Sequence, residues 1–170
     1  MRNKDGLDGA DVGLGNEKSI NQLVAHHAII FRPAQQQVWI STAPWQLGKF
    51  VCYDLKKIFG MKMTNDREIY DTCAIKPDPF LATRQYLDFR KFSTYRFPFQ
   101  SRTNVPPDSL VKWNPNSYLS YMLAGDVCFQ KNDFASARHF YETGLAKEIA
   151  SQQERDYMMT QLNHCKKHQP

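Results

Sequence analysis

The sequence predicts an α+β protein in which an antiparallel β-meander is followed by a region of helices. Residues of high β propensity are concentrated between Gln22 and Leu55, where turn residues interrupt them. Helical periodicity dominates from residue 116 onward. Between the two regions, Arg102–Pro115 is rich in proline, which is typical of a linker.

Three runs of β-branched and aromatic residues make up the predicted meander, and these are Leu23–Phe31, Val38–Thr42 and Phe50–Asp54. The first two form a hairpin, because Pro33 and the polar residues after it favour a turn. The apolar residues at 28–31 do not alternate with polar ones, which is typical of a strand covered on both faces. Three strands are too few for a complete core, so we expect further layers on each side.

Residues 1–19 carry four of the eight glycines, and we interpret them as a mobile, glycine-rich loop leading into the sheet. Gly13–Ser19 does not fit a phosphate-binding loop, because no lysine directly follows the second glycine and no strand precedes it. Asp5, Asp8 and Asp11 lack the spacing of a calcium loop. The predicted division is therefore a loop at 1–19, a sheet domain at 20–101 and a helical segment at 116–168.

Two helices are predicted between the meander and the linker. The first covers Leu55–Phe59 and stops at Gly60. The second covers Phe80–Tyr95, with Asp78 as its N-cap and Pro79 at its first position.

Three further helices are predicted in the last third of the chain, at Tyr118–Lys131, Phe134–Lys147 and Gln152–Lys167. Ser151 and Glu154 form a capping box at the start of the last one. The stretch AGDVCFQKNDFASARHFYETGL resembles one tetratricopeptide repeat. The small and aromatic positions of that helix pair are occupied by Tyr121, Gly125, Cys128, Ala137, Tyr141 and Gly144. A single repeat cannot bury its own face, so we expect it to dock on the sheet domain or on a partner.

Composition excludes several classes of function. The net charge is +5, but the 22 basic and 17 acidic residues are interspersed, so we do not expect nucleic-acid binding. No apolar run approaches the roughly 20 residues of a membrane span, and the first residues lack a secretion signal. We expect a cytoplasmic location by default, or an exported one if an upstream part carries a signal.

The four cysteines are scattered, so neither a zinc knuckle nor a dithiol redox motif is predicted. Cys52 and Cys128 lie in apolar runs and are interpreted as small buried hydrophobic residues. We expect no metal and no cofactor.

The meander INQLVAHHAIIFRPAQQQVWISTAPWQLGKFVCYDL resembles the C-terminal portion of a family of autoproteolytic acyltransferases and hydrolases. That family includes the penicillin acyl-transferring enzymes and is distantly similar to choloylglycine hydrolases. The resemblance covers Asn16 to Leu55 and, to a lesser degree, Asp78 to His168. It implies part of an N-terminal-nucleophile (Ntn) fold, an αββα sandwich in which a cysteine attacks a small amide or acyl substrate.

The family places its nucleophile at the start of the catalytic chain, and this chain has no cysteine before Cys52, which lies within a predicted strand. The expected function is therefore that of a C-terminal fragment, inactive by itself, whose partner is an upstream nucleophile-bearing half of the same enzyme.

Two site residues are implied by the resemblance, because the family has a polar residue just ahead of this meander. Asn21 and Gln22 stand there. The Asn21 amide could donate to an oxyanion or orient a substrate carbonyl, and Gln22 could contact substrate. The alternative for Asn21 is a capping or turn amide at the strand entrance.

Three further candidates for substrate contact are His26, His27 and Trp45. Adjacent strand residues point to opposite faces, so at most one of the two histidines is functional. Hydrogen bonding to a nearby carbonyl is the structural alternative for either. Trp45 lies in a turn with proline and glycine, where packing over the sheet edge is favoured over lining a pocket.

A second hypothesis is a protein-interaction module in which the tetratricopeptide-like helices bind a partner and the sheet is a scaffold. A freestanding enzyme with a His and Cys pair is a third, and no residue spacing supports it.

Overall fold

A computed structural model describes residues 2–24, 27–60, 73–96 and 104–168. The chain divides into two compact units. The sheet unit contains Arg2 and the described residues from Leu23 to Leu81, and the helical unit contains Asn3–Gln22 and the described residues from Ala82 onward. The predicted α+β class is confirmed, although this division differs from the predicted domain boundaries.

The sheet has three antiparallel strands in the order β1-β2-β3, at Ile29–Arg32, Gln37–Ser41 and Phe50–Asp54. Trp39 pairs with Ile30 on one side and with Cys52 on the other. The hairpin turns through a short 3-10 helix at Pro33–Gln35, and Gln36 adopts a left-handed conformation. The first strand begins at Ile29 and not at Leu23 as predicted, because Leu23 has a φ of 52° and does not extend the ladder.

The α-helices of the described residues are α1 Leu55–Gly60, α2 Arg84–Arg96, α3 Pro107–Trp113, α4 Tyr118–Gln130, α5 Phe134–Leu145 and α6 Gln152–Lys167. Short 3-10 helices occupy Leu7–Gly9 and Pro79–Ala82. The Asp78 side chain accepts a hydrogen bond of 2.9 Å from the Phe80 N–H, as a cap should. Ser151 caps α6 as predicted, since its side chain accepts from the Glu154 N–H, and its hydroxyl donates to the Glu154 carboxylate at 2.8 Å.

The prediction that Arg102–Pro115 is a linker is wrong, because helix α3 lies within this range. Pro107 occupies the first position of this helix, where the missing N–H costs no hydrogen bond. Leu110 on α3 is fully buried, so the segment belongs to the core of the helical unit.

The interpretation of the N-terminal residues as a mobile loop is also corrected, because residues 3–22 pack into the helical unit. We call them the strap. The Leu14 N–H donates to Asn114 Oδ1 at 3.0 Å, and Asn114 Nδ2 donates to the Leu14 carbonyl at 2.8 Å. Asn16 is fully buried, and its Nδ2 donates to the carbonyls of Val12 and Glu148. These side-chain amides satisfy the strap backbone in the way that a neighbouring strand would.

Among the described residues, no helix is long and apolar enough to cross a membrane.

Candidate functional site

The inner face of the sheet is closed by a small core that contains a disulfide. Ala28, Trp39, Phe50 and Cys52 are buried there, with Ile30 and Cys73 packed against them. Cys52 and Cys73 are bonded to each other, which corrects the interpretation of Cys52 as an unpaired hydrophobic residue. The Trp39 indole N–H donates to the Cys73 carbonyl at 2.7 Å, so the segment after residue 72 is fixed to β2 as well as to β3.

Arg2 fixes the other end of the same core. Its guanidinium donates to the carbonyls of Gln46, Gly48 and Lys76, and it lies 5.5 Å above the ring of Phe50. It also lies 4.0 Å from the Asp78 carboxylate. These contacts give Arg2 a structural role in joining the β2–β3 turn to residues 76–78.

The outer face of the sheet is apolar and, in the part of the chain that the structure describes, partly exposed. By strand alternation it carries Ile29, Phe31, Val38, Ile40, Val51 and Tyr53. Ile29 is 45% exposed, Phe31 67% and Ile40 37%. The described residues therefore do not complete the layer that we expected on this face. A contiguous apolar surface of this kind is typical of a surface that packs against another element.

Asn21 and Gln22 lie at the end of the strap, in the helical unit. Asn21 is 1% exposed, and its N–H donates to the Asn3 carbonyl at 2.8 Å. The Gln22 side-chain amide donates to the Glu17 carbonyl at 3.0 Å. Both residues thus contact other residues of the strap.

His27 and Trp45 belong to the sheet unit, and His26 lies outside the described residues. His27 is exposed and precedes β1, so the prediction that it lies within the strand is wrong. Trp45 is half-buried in the turn between β2 and β3. The four described candidates therefore lie in two different units, Asn21 and Gln22 in the helical unit and His27 and Trp45 in the sheet unit.

In the helical unit, α4 and α5 approach closely at two glycines. A side-chain carbon at Gly125 would lie 2.7 Å from the Tyr141 ring, and one at Gly144 would lie 3.1 Å from the Tyr121 side chain. Helix α6 packs next to α5, and Met158 on α6 also borders Gly144. A larger side chain at either glycine would therefore meet a neighbouring helix.

A polar cluster that the sequence did not reveal lies across these three helices. Asp126 Oδ1 accepts hydrogen bonds from the Tyr141 hydroxyl at 2.8 Å and from the Tyr157 hydroxyl at 2.9 Å. Burial and the nearby Asp126 carboxylate raise the pKa of Tyr141 above its ordinary value, so its hydroxyl stays protonated and remains a donor. The 31-residue separation of Asp126 and Tyr157 gives no sequence signal for this contact.

The cluster borders a pocket of about 230 Å³. Its lining residues are Asp126, Phe129, Gln130, Tyr141, Tyr157 and Gln161.

No family model, no curated protein and no solved structure matches this chain.

Proposed function

We propose that this chain is the C-terminal portion of an Ntn-type amidase or acyltransferase, in which the sheet unit supplies part of one sheet of the αββα sandwich. The catalytic cysteine is supplied by a separate, nucleophile-bearing part of the enzyme. The substrate is a small amide or acyl compound, and this chain is inactive by itself. No cofactor takes part.

The partly exposed outer face of the sheet is the observation that carries this proposal. Six apolar side chains occupy this face. Three of them are exposed, and Phe31 is the most exposed of these at 67%. Full burial of an Ile or Phe side chain contributes about 1.5–3 kcal/mol, so a second sheet placed here would gain several kcal/mol from these positions. Two sheets packed face to face about 10 Å apart are the arrangement that an Ntn sandwich requires.

Asn21 is the proposed oxyanion donor or substrate-orienting amide. Because it is 1% exposed, a substrate can reach it only if the complete enzyme opens space beside the strap. Replacing it with alanine in the complete enzyme should then lower the rate by about 10²–10³. An unchanged rate would make Asn21 a structural amide.

The experiment joins the chain with the polypeptide encoded directly upstream of Met1 and measures amide hydrolysis. We expect no turnover from the chain alone and turnover from the pair. The double variant Ile29→Thr with Phe31→Thr should prevent assembly, because it removes apolar side chains and keeps β propensity. A matched control, Ile20→Thr, changes a residue that is 67% exposed in the strap and should assemble normally.

Turnover by the isolated chain would contradict the proposal, as would an upstream reading frame without a cysteine nucleophile. Normal assembly of the outer-face double variant would show that this face is not the contact.

A second candidate function is protein binding by the tetratricopeptide-like helices. The close packing of α4 on α5 at Gly125, with α6 stacked beside them, supports it. The outer-face double variant should still bind such a partner, whereas substitutions on α4 and α6 should abolish the binding.

A further inference from the structure

Two histidines lie about one helical turn apart at the end of α6. His164 is in the last turn of the helix, and His168 is its C-cap. The centroids of the two rings are 5.1 Å apart, and the ring planes meet at 82°. Side chains four positions apart share one face of a helix, and both of these residues are exposed. The two imidazoles therefore form a pair that a ligand can reach.

Aromatic rings from the two preceding helices hold this pair in place. His164 stacks on Phe129 of α4 with 5.5 Å between the ring centroids, and His168 stacks on Phe134 of α5 at 4.8 Å. The two phenylalanine rings also meet edge-on at 5.4 Å. Side chains that are ordered before a ligand arrives lose less conformational entropy when it binds. The pair is thus pre-organised by contacts within the helical unit.

The separation of the two rings suits a chelated metal ion. An imidazole nitrogen binds Zn²⁺ at about 2.0–2.1 Å. If one nitrogen from each ring shares an ion, the ring centroids lie about 4.5–5.2 Å apart for angles at the metal between about 90° and about 109°. The observed separation of 5.1 Å lies in this range. Two histidines four positions apart on a helix are also the arrangement by which helical zinc motifs supply two of their ligands.

We propose that His164 and His168 bind a late first-row divalent metal ion, such as Zn²⁺ or Cu²⁺, through one ring nitrogen each. Among the described residues, no group of three or more histidine, cysteine or carboxylate side chains could hold a metal ion, and water fills the other coordination positions of this one. Imidazole ligands suit these ions, and Cu²⁺ binds most tightly of the series. The proposal uses only the helical unit and does not depend on the proposed catalytic function.

Electrostatic forces at this end of α6 act in opposite directions. The dipole of the helix favours a cation near its C-terminus. Lys166 and Lys167 lie in the same last turn and repel a cation, and so does the net charge of +5. The ion is therefore held by its bonds to nitrogen and not by charge. This predicts that Mg²⁺, which has the same charge but prefers oxygen ligands, does not bind.

The test is a titration of the full chain with ZnCl₂, followed by two-dimensional NMR of the histidine rings. We expect saturable shifts of the rings of His164 and His168, complete below about 1 mM Zn²⁺ and reversed by EDTA. His139 on α5 lies outside the pair and should show no comparable shift. MgCl₂ should shift none of these rings. Paramagnetic Cu²⁺ should broaden the signals of the same two rings at lower concentrations than Zn²⁺ needs.

The variant His164→Phe removes one ligand nitrogen and keeps an aromatic ring for stacking on Phe129. The affinity for Zn²⁺, measured at His168, should fall about tenfold or more, because the second bond of a chelated ion forms within one molecule. The matched control His139→Phe removes an exposed imidazole outside the pair. Its affinity for Zn²⁺ should stay within about twofold of that of the unmodified chain.

The absence of saturable shifts with both Zn²⁺ and Cu²⁺ would overturn the proposal without the need for any variant, as would an equal response to MgCl₂. A shift confined to one of the two rings would also overturn it. The same holds for a response of His139 at the same concentrations, because a single imidazole would then be enough to bind the ion. Unchanged affinity in His164→Phe would contradict chelation by the pair.

Discussion

The disulfide between Cys52 and Cys73 should stabilise the sheet unit, and one substitution can remove it. The two residues are separated by 21 positions in the sequence. Closing a loop of this length restricts the unfolded chain, and the loop-entropy relation gives about 3 kcal/mol at 25 °C. The variant Cys73→Ser should lower the free energy of unfolding of the sheet unit by that amount. Serine is chosen because position 73 is half-buried and tolerates a hydroxyl.

The unfolding of the sheet unit can be followed separately by tryptophan fluorescence. Trp39 and Trp45 lie in the sheet unit, and Trp113 lies in the helical unit, where it stacks on Tyr95 with ring centroids 5.8 Å apart. Replacing Trp113 with phenylalanine keeps an aromatic partner for Tyr95 and confines the signal to the sheet unit. Urea titrations of this background then give the free energy of unfolding with and without the disulfide.

A reducing agent supplies an independent control. Dithiothreitol should lower the stability of the Trp113→Phe background to that of Cys73→Ser and should leave Cys73→Ser unchanged. The variant Cys165→Ala removes a buried free thiol and should keep the full response to dithiothreitol. A loss below about 1 kcal/mol in both the variant and the reduced background would refute the loop-entropy argument for this bond.

Two further predictions concern the helical unit. The variant Gly125→Ala should lower its free energy of unfolding by about 1–3 kcal/mol, because the new methyl group would lie 2.7 Å from the Tyr141 ring. Thermal melting by circular dichroism measures this, and Gly60→Ala in the sheet unit, where a side-chain carbon meets nothing within 4 Å, should leave the melting of the helical unit unchanged. Hydrogen bonds from Ser136 lower the pKa of Asp133 at the start of α5, so its contribution to stability is present at neutral pH and is lost as the pH falls through the folded-state pKa. Asp133→Asn should remove that part of the acid dependence in urea titrations at several pH values, and an unchanged pH profile would contradict it.

The elements with a strong local pattern could be predicted from the sequence. Strands β2 and β3 and helices α4 to α6 begin and end within two residues of the predicted bounds, because apolar periodicity and capping residues determine them locally. Helix α3 was missed although Pro107 is a recognised helix-start signal, because a second proline precedes it and the segment resembles a linker.

Contacts between residues far apart in the sequence could not be predicted in the same way. Cys52 occupies an apolar strand position, so its residue type suited a free buried thiol as well as a disulfide. The burial of Asn16 and Asn114 was missed because their partners are backbone groups far away in the sequence, which no periodicity reports. The roles given to the candidate residues at 21, 22, 27 and 45 stay predictions, since a sequence pattern does not give the orientation of a side chain.

The strap is part of the helical unit, although its glycine content is typical of a mobile loop. The helical unit is made from residues 3–22 and from the described residues from Ala82 onward, so most of the sheet unit lies between its two parts in the sequence. Strap residues are tied to the last third of the chain, where the Glu148 carbonyl accepts from Asn16 and the Glu148 carboxylate pairs with Lys18. The helical unit thus includes a segment that precedes the sheet in the chain. A substitution in the strap should consequently lower the stability of the helical unit.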